Sequence, residues 1–526
     1  MEAGDEPGAE VIGSNTGARM AEIEGGTFVP LSIESRLLSE EGRAEGTPSQ
    51  KELGDLVVMP HSFELRRDAR SFVQHMRALR GAVGPSKLIY APGIMDVSNL
   101  ALLAYMGVDL FDSALVSYLA RKGSLSLPEG TISASKAEWL VREPKASTVE
   151  EFNLNAAWRE LGLVRHMVRA GRLRELVEAR ASSYPWGMAA LRLFDLECYE
   201  LQESQTAVVG PRFYATSPQS LSRPDVVRWR SRIKERWSPA PHKKILLLIP
   251  CSAKKPYFTS KTHQVFRESL VRVPNHEVVQ ELIVTSPLGL VPRELELFYP
   301  AAQYDIPVTG HWSLEEQRMV TELVASAASK GFEKVVCHLG HGNDFVKEQM
   351  DCIDTSQGSP TSRDSLARLE AALSQLCQGY ERPPRGRERA ESLASAARFQ
   401  FGEGGDSLTE GCTVTGSYPY SKIFSGKEQM GMLTPERGMI SLTLEGASRL
   451  SHKGINWVEI QDFDLSGNLF AVGVKDVDSR MRVGDEALIM RKGELVAVGI
   501  AAMSAREMSD LERGEAVRVR HKRRPS

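Results

Sequence analysis

The sequence predicts a multidomain α/β chain. Three observations carry that expectation: its length, a central stretch in which short apolar runs alternate with helical patterns, and a strand-rich carboxy-terminal end. With 526 residues the chain exceeds what one hydrophobic core serves, since single cores stop growing beyond roughly 250–300 residues. Three or four domains are expected. A composition of 42% hydrophobic and 25% charged residues is that of a globular protein. No apolar run approaches the ~20 residues a membrane span needs. Residues 1–19 are acidic and Gly-rich without an apolar stretch, so they do not read as a secretory signal; of these, 1–13 are expected to be disordered. The six cysteines are scattered and none forms a CxxC pair. That excludes a zinc ribbon or disulfide framework and points to a reducing cytoplasm. The formal net charge of -3 excludes a polycation, so any nucleic-acid contact must come from local basic patches.

Residues 1–236 carry helical signals. Leu161, Val164, Met167 and Val168 fall at helical spacing within 157–180, with arginines between them. Leu88-Ile89-Tyr90-Ala91-Pro92-Gly93 reads as a strand and turn, and Leu100 to Met106 as a helix. The Pro-bearing stretch Trp237-Ser238-Pro239-Ala240-Pro241 reads as a linker. In 242–380, three apolar runs (245–249, 281–285 and 334–339) read as strands buried on both faces. Helix-like segments follow at 264–272, 314–330 and 365–376. This βαβ pattern predicts a Rossmann-like parallel sheet with helices on its faces. Residues 381–409, opening with Arg382-Pro383-Pro384-Arg385-Gly386-Arg387, read as a linker and helical segment. Residues 410–452 form a small α+β domain, with a half-buried strand expected over 438–447 from its alternation. In 453–526, the short runs 469–474, 486–490 and 495–499 between turn residues predict a small barrel. Its end is basic. Arg518, Arg520, Lys522 and Arg523 are candidate RNA contacts, because phosphate contacts dominate nucleic-acid affinity.

Open parallel sheets bind ligands beyond the carboxyl ends of their strands. Four loops are expected there, beginning at Cys251, Ser286, Thr309 and Gly340. They bring a thiol (Cys251), Ser252, Lys254, Lys255, Ser286, Arg293, two carboxylates (Glu294 and Asp305) and His341 toward one place. A core does not need that mixture, and burying it unpaired costs several kcal/mol. Cys251, followed by two lysines and expected near a helix amino terminus, is expected to have a lowered pKa. The bland alternatives are a small buried cysteine, lysines that clamp phosphate, and a loop histidine satisfied by its neighbours.

Three stretches resemble known families. Residues 454–522 resemble a PUA domain, an RNA-binding β-barrel, through Asn468-Leu469-Phe470-Ala471-Val472-Gly473-Val474, Val483-Gly484-Asp485-Glu486, Ala497-Val498-Gly499-Ile500-Ala501 and the run from Arg513 to Arg520. The amino-terminal half, through Leu88 to Gly93, Gly107-Val108-Asp109-Leu110-Phe111-Asp112-Ser113 and Leu127-Pro128-Glu129-Gly130-Thr131, resembles the tRNA-guanine transglycosylases, whose catalytic domain is a TIM barrel. That resemblance aligns Asp112 with the family's nucleophile. Three departures make the domain a degenerate TIM-barrel-like one. It is shorter than the ~250 residues of a full barrel. It lacks the Asp-Ser-Gly-Gly-Phe-Gln segment that supplies the second catalytic Asp. It has no cysteine between Thr131 and Trp158, with Phe152 about where a ligand histidine would fall, so no zinc is expected. Asp112 is therefore read as a vestigial nucleophile, a carboxylate capping a helix or pairing with Arg121.

The central string Pro250-Cys251-Ser252-Ala253-Lys254-Lys255-Pro256-Tyr257, with Thr285-Ser286-Pro287-Leu288-Gly289-Leu290-Val291-Pro292-Arg293-Glu294-Leu295-Glu296 and Tyr304-Asp305-Ile306-Pro307-Val308-Thr309-Gly310, resembles the archaeosine synthase family. The resemblance implies an amidine-forming transferase acting on tRNA that bears 7-cyano-7-deazaguanine in its D-arm. Free lysine, or alternatively glutamine, adds to the nitrile, and a radical-SAM partner then cleaves the adduct. Cys251 would be the nucleophile, Asp305 or Glu294 would hold the donor ammonium, and Lys254 and Lys255 would meet RNA phosphate or the donor carboxylate. No cofactor, metal or membrane partner is implied, and a homodimer stays open. A non-catalytic tRNA-binding subunit is the alternative, and a base-exchange transglycosylase a second one.

Overall fold

The computed structural model describes residues 55–59, 61–141, 148–384 and 386–523. The chain divides into two compact units, Met1–Thr206 with Met503–Gly514, and Ala207–Ala502 with Glu515–Ser526.

In the first unit, β1 (Leu56–Val58) pairs in parallel with β2 (Leu88–Tyr90), and Tyr90 bridges in parallel to Leu110. Helix Ala69–Val83 shows why helices surround these strands. Phe72, Val73, Met76, Leu79 and Val83 are buried at intervals of one to four residues on one face, and the Asp68 carboxylate caps the start by accepting from Arg70 N. Helix Leu100–Met106 lies where the apolar pattern predicts it. The helical stretch expected over 157–180 is two helices, Val149–Arg169 and Leu173–Ala181, separated at Gly171, whose φ of 67° ends the first. A hairpin of β3 (Ser124–Leu127) and β4 (Gly130–Ser133) completes the strands. From Val149 to Gln205 the described chain is mainly helix. Among the described residues these short strands therefore form no closed ring, and the barrel expectation is met only by a parallel pair, its bridge and their helices.

The second unit begins ahead of the expected boundary at Arg236. After β5 (Phe213–Tyr214), helix Pro224–Glu235 packs into this unit's core, where the Trp229 indole donates to the Leu290 carbonyl at 2.9 Å. The expected linker is an anchor instead. Trp237 is 0% exposed, and its Nε1 donates to Glu294 Oε1 at 2.8 Å.

The central sheet contains β6 (Ile245–Pro250), β7 (Val279–Thr285), β8 (Gly289–Pro292), β10 (Lys334–Cys337) and β11 (Ile353–Asp354) in the order β11-β10-β6-β7-β8. The two-residue β9 (Tyr304–Asp305) pairs separately with β5. Strands β11, β10, β6 and β7 are parallel, and β8 returns antiparallel to β7. The wholly apolar run of β6 is explained by its place at the centre, since Ile245 to Ile249 are all 0% exposed. Helices Lys261–Arg272, Leu314–Ala328 and Arg363–Cys377 form as expected, and their starts are capped by Ser260, Ser313 and Ser362.

After helix Arg387–Phe401 comes an antiparallel sheet of β12 (Thr413–Thr415), β13 (Ser421–Ser425), β14 (Glu428–Thr434) and β15 (Met439–Leu442). The strand expected over 438–447 stops at Leu442. The Thr443 hydroxyl accepts from Gly446 N and starts helix Leu444–Ser451.

The last sheet runs β17-β21-β20-β19-β16-β18 and is curled, with β16 (Trp457–Ile460) pairing with both β18 (Val474–Val477) and β19 (Glu486–Arg491). It also holds β17 (Leu469–Phe470), β20 (Glu494–Ala501) and β21 (Glu515–Lys522). The run expected over 469–474 is split between β17 and β18 by the tight turn Ala471–Gly473. No described helix is long and apolar enough to cross a membrane.

Trp237→Ala empties a fully buried volume and leaves Glu294 Oε1 with only the long 3.4 Å bond from Ser395. It is expected to cost about 3–5 kcal/mol, seen as a fall in the melting temperature measured by calorimetry.

Candidate functional site

Cys251 follows β6 directly. Pairing of Pro250 with Val284 carries the register forward so that Cys251 and Thr285 emerge side by side, and Cys251 N donates to the Val284 carbonyl at 3.2 Å. Thr285 is fully buried. Strand β9 brings the Tyr304 hydroxyl to 2.6 Å from Thr285 Oγ1, and the Tyr257 hydroxyl lies 2.5 Å from that of Tyr304. The Lys255 ammonium sits 4.1 Å from the centre of the Tyr304 ring and 5.9 Å from that of Tyr257, a cation–π arrangement. Beside it, Arg212 donates to Asp305 Oδ2 at 2.9 Å on the open side of the cluster.

The electrostatics correct one expectation. Burial pushes the Cys251 thiol up, while the Thr285 hydrogen bond and the Lys255 charge pull the other way without winning. The lowered thiol anticipated from sequence needed a helix amino terminus at the cysteine, and the nearest capped helix begins only at Lys261. Lys255 moves in the opposite sense. Burial drives its ammonium down, against the pull of Cys251 and Asp305 and with the help of Arg212. The two shifts narrow the gap between thiol and ammonium, which eases proton exchange between them.

Of the other residues singled out, Ser286 donates to Glu316 Oε1 at 2.5 Å, Ser252 donates to the Lys254 carbonyl at 3.1 Å, and the Lys254 side chain is exposed. His341 is exposed between Gly340 and Gly342, at φ 74° and 82°. A Cβ on Gly342 would stand 3.2 Å from the Gly310 carbonyl, so the 309–310 and 340–342 loops adjoin.

Arg293 and Glu294 are not in this cluster. They follow β8, whose antiparallel return pairs Pro292 with Leu282 and carries them back toward the amino-terminal half of β7. There Arg293 donates to Glu281 Oε2 at 3.0 and 2.5 Å, to Glu296 Oε2 at 3.2 Å and to His263 Nδ1 at 2.9 Å. Glu294 accepts from Trp237 at 2.8 Å and from Gln280 at 2.8 Å. Both oxygens are therefore committed to the core, which leaves no room for the donor-binding role expected of Glu294. Along the chain, 286–296 looks like one loop, because β8 is only four residues long.

His263 links the two places. Burial and Arg293 push its ring down to about 2, so it is neutral. Arg293 donates into Nδ1, which leaves the proton on Nε2, toward the Pro250 carbonyl. Thr285, Tyr304, Tyr257 and Arg212 went unassigned in the sequence. Tyr257, Thr285 and Tyr304 all stood inside the quoted segments without a role, and strand register is what brings Thr285 beside Cys251.

Asp112, in the first unit, is fully engaged. Its Oδ2 accepts from the Tyr90 hydroxyl and Gly93 N, each at 2.8 Å, and its Oδ1 accepts from Ala114 N at 2.8 Å at the start of helix Ala114–Arg121. That is the geometry of a helix-capping carboxylate. Burial and Asp112 push the Tyr90 phenol up to about 12.

On β21 the basic residues differ. Arg520 is half-buried and directs its charge at the fully buried Glu486, which Arg437 also approaches at 3.5 Å. Arg518, Lys522 and Arg523 are exposed, with Arg518 paired to Glu515 at 3.0 Å and Lys522 donating to the Ser466 carbonyl at 2.9 Å. Among the described residues no group of three or more His, Cys, Asp or Glu is placed to hold a metal ion.

Two family profiles match the chain. One, described as a domain of unknown function (DUF5591), covers residues 226–373, and the PUA domain covers 460–523. Archaeosine synthase subunit alpha of Methanosarcina acetivorans is 36% identical over 96% of this chain and 83% of its own length. The chain belongs to the archaeosine synthase family. Another member, archaeosine synthase of Haloferax volcanii, is 32% identical over 86% of this chain and 81% of its own. The family's likeness extends to the tRNA-guanine(15) transglycosylase of Methanothermobacter thermautotrophicus, 27% identical over 89% of this chain and 70% of its own. A crystal structure of a protein of unknown function is 30% identical, with a TM-score of 0.45 over 56% of this chain and 100% of that one.

The depressed histidine sets a pH dependence. An unfolded His263 titrates near ~6.5, whereas the folded ring stays neutral down to about 2. Below ~6.5 the unfolded state binds the proton that the folded state refuses, so stability present above that pH is lost as pH falls. Denaturant midpoints measured from pH 7.5 to 5 are expected to fall with acid in the native chain, and to fall less steeply in His263→Gln.

Proposed function

We propose that this chain is a tRNA-modifying transferase of archaeosine synthesis, adding an amine across the nitrile of 7-cyano-7-deazaguanine carried in the D-arm of tRNA. The observation that carries the reading is the pairing of a half-buried thiol, Cys251, with a lysine, Lys255, seated over an aromatic face and with its ammonium destabilised by burial. The resemblance to archaeosine synthases over nearly the whole chain supports it.

The chemistry then assigns roles. Neutral Lys255 takes the Cys251 proton. The thiolate adds to the nitrile carbon, forming a C–S bond, and the nitrogen receives the proton back from Lys255 to give a thioimidate. The donor amine, neutral when it attacks, forms the C–N bond and gives up one proton to the now neutral Lys255, and the C–S bond breaks to return the thiolate. Asp305, half-buried and held by the exposed Arg212 at 2.9 Å, exchanges that partner for the donor's ammonium. Free lysine is the preferred donor and glutamine the alternative. Lys254, Ser252, Ser286 and His341 line the approach, where Lys254 meets the donor carboxylate or RNA phosphate. A radical-SAM partner cleaves the adduct. Some of the relatives are named as a subunit alpha, which favours as second reading a tRNA-binding subunit with its chemistry on another chain.

Pure protein incubated with nitrile-bearing tRNA and lysine is expected to add the mass of lysine to the nucleoside, read by mass spectrometry. Conversion only after a radical-SAM protein is added would support the scaffold reading instead. Cys251→Ser is expected to lose adduct formation by at least about 10²-fold. Retention of the native rate removes the covalent route. Because the thiol is raised and Lys255 opposes that rise, the rate is expected to climb with pH through the thiol ionisation. Lys255→Met moves that limb to higher pH.

For tRNA binding, replacing Arg518, Lys522 and Arg523 by Ala is expected to weaken affinity and reduce the salt slope by about one for every phosphate no longer neutralised. Arg520→Ala instead destabilises the barrel, because it leaves the buried Glu486 with only the more distant Arg437 as a counter-charge.

A further inference from the structure

The proposed reaction leaves three buried hydroxyls unused. Thr285, Tyr304 and Tyr257 stand in one hydrogen-bonded group, and Thr285 leaves β7 beside Cys251. We infer that Thr285 is the hydrogen-bond donor that holds Cys251 as a thiolate, both when sulfur attacks and when it is expelled, with Tyr304 and Tyr257 as positioning residues that aim it. The inference deepens the proposed function, since it concerns the same sulfur.

Proton counting leads to this assignment. A threonine hydroxyl has one proton and two lone pairs. The Tyr304 hydroxyl, 2.6 Å from Thr285 Oγ1, and the Tyr257 hydroxyl, 3.4 Å away, compete to donate into those lone pairs. Both phenols are pushed above their ordinary range by burial, so both keep their protons and remain donors. With Tyr304 donating, the Thr285 proton is directed elsewhere. In the resting chain it goes to the Ser286 carbonyl at 3.2 Å. That is long for an O–H···O bond, whose ordinary separation is about 2.7–2.8 Å, so the proton is weakly held. A thiolate one strand away is a charged acceptor, and charge-assisted hydrogen bonds are roughly twice as strong as neutral ones. Ionisation of Cys251 therefore turns the Thr285 hydroxyl toward sulfur by rotation of one side-chain bond. The donors then run in a single direction, from Tyr257 to Tyr304 to Thr285 to sulfur, each polarising the next.

The strands dictate this arrangement. Pairing of Pro250 with Val284 puts Thr285 beside Cys251, and pairing of Tyr304 with Phe213 fixes the phenol from the other side. The remaining charged or titratable groups around the sulfur are Lys255 and Tyr257 on its own loop and the turn after it, Asp305 on β9, and Arg212 just before β5. Lys255 acts as the proton carrier and Asp305 is paired with Arg212. Within this group the hydroxyls alone give sulfur a donor that is present at every working pH.

The test reads the thiol rather than turnover. The full-length protein is alkylated with iodoacetamide across pH ~6–11, a range chosen to bracket a raised thiol, and the Cys251 peptide is quantified by mass spectrometry, which separates it from the other five cysteines. Thr285→Val is expected to raise the Cys251 alkylation midpoint by about one pH unit, roughly a tenfold loss of thiolate at a given pH. Thr285→Ser, which restores a hydroxyl, brings the midpoint back to that of the native chain. Tyr304→Phe keeps the ring and Lys255's seat while removing one link, so it shifts the midpoint upward by less, and it serves if Thr285→Val does not fold. Native midpoints in both Thr285→Val and Tyr304→Phe overturn the inference, as does a Thr285→Ser profile that matches Thr285→Val. If the midpoints move as stated while Cys251→Ser still makes adduct at the native rate, the hydroxyl relay stands and the covalent reading of the reaction falls.

Discussion

The parallel register of β6 on β7, from Ile245 opposite Val279 to Pro250 opposite Val284, acts one residue beyond the last paired rung. There Cys251 and Thr285 leave the sheet together, and the phenol of Tyr304 closes on them. A slip by one residue would turn each side chain of β6 to the opposite face. It would place the thiol beside Ser286 and break the hydroxyl group behind it. The run Ile245 to Ile249 is apolar on both faces, so burial alone does not set this register. The six paired rungs with β7, flanked by β10 on the other side, hold it and so position the reactive sulfur.

Two polar centres lie along β7, and they differ in kind. Around Arg293 every charge has a partner: Glu281, Glu296 and His263 take its N–H groups, and Tyr418 donates to Glu296 at 2.5 Å. Such saturated networks cost several kcal/mol to disturb and give a strand ladder its stiffness. Around Cys251 the groups are left unbalanced. Burial raises a thiol and lowers an ammonium beside it, and Asp305 remains open to exchange. The neutral His263 ring connects the centres by bonding to Arg293 on one nitrogen and facing the Pro250 carbonyl with the other. The rigid centre thereby steadies the loop that carries the adjustable one.

The same division of labour recurs on β21. Arg520 is consumed by the buried Glu486, which also accepts from Leu442 N at 2.9 Å and so ties the curled sheet to β15. Arg518, Lys522 and Arg523 stay at the surface, where phosphate can reach them. Sequence alone treats these four residues as one basic run. Burial separates the one that holds the barrel from those open to a polyanion.

Local pattern was enough to read much of this chain. Apolar runs announced β6, β7 and β10, helix-like segments announced the helices between them, and the short runs near the end announced the PUA barrel. These follow from sequence because burial period and capping are demands a segment makes on its own residues. Tertiary structure decided the rest. It turned β8 back and removed Arg293 and Glu294 from the site, made Trp237 an anchor where a linker was expected, tied a helix start to Tyr90 and Gly93 through the two oxygens of Asp112, and raised the Cys251 thiol where a drop was expected. Each of these depends on which residue from a distant strand or helix arrives alongside. Pairing and desolvation are properties of the assembled neighbours, and no single segment carries them.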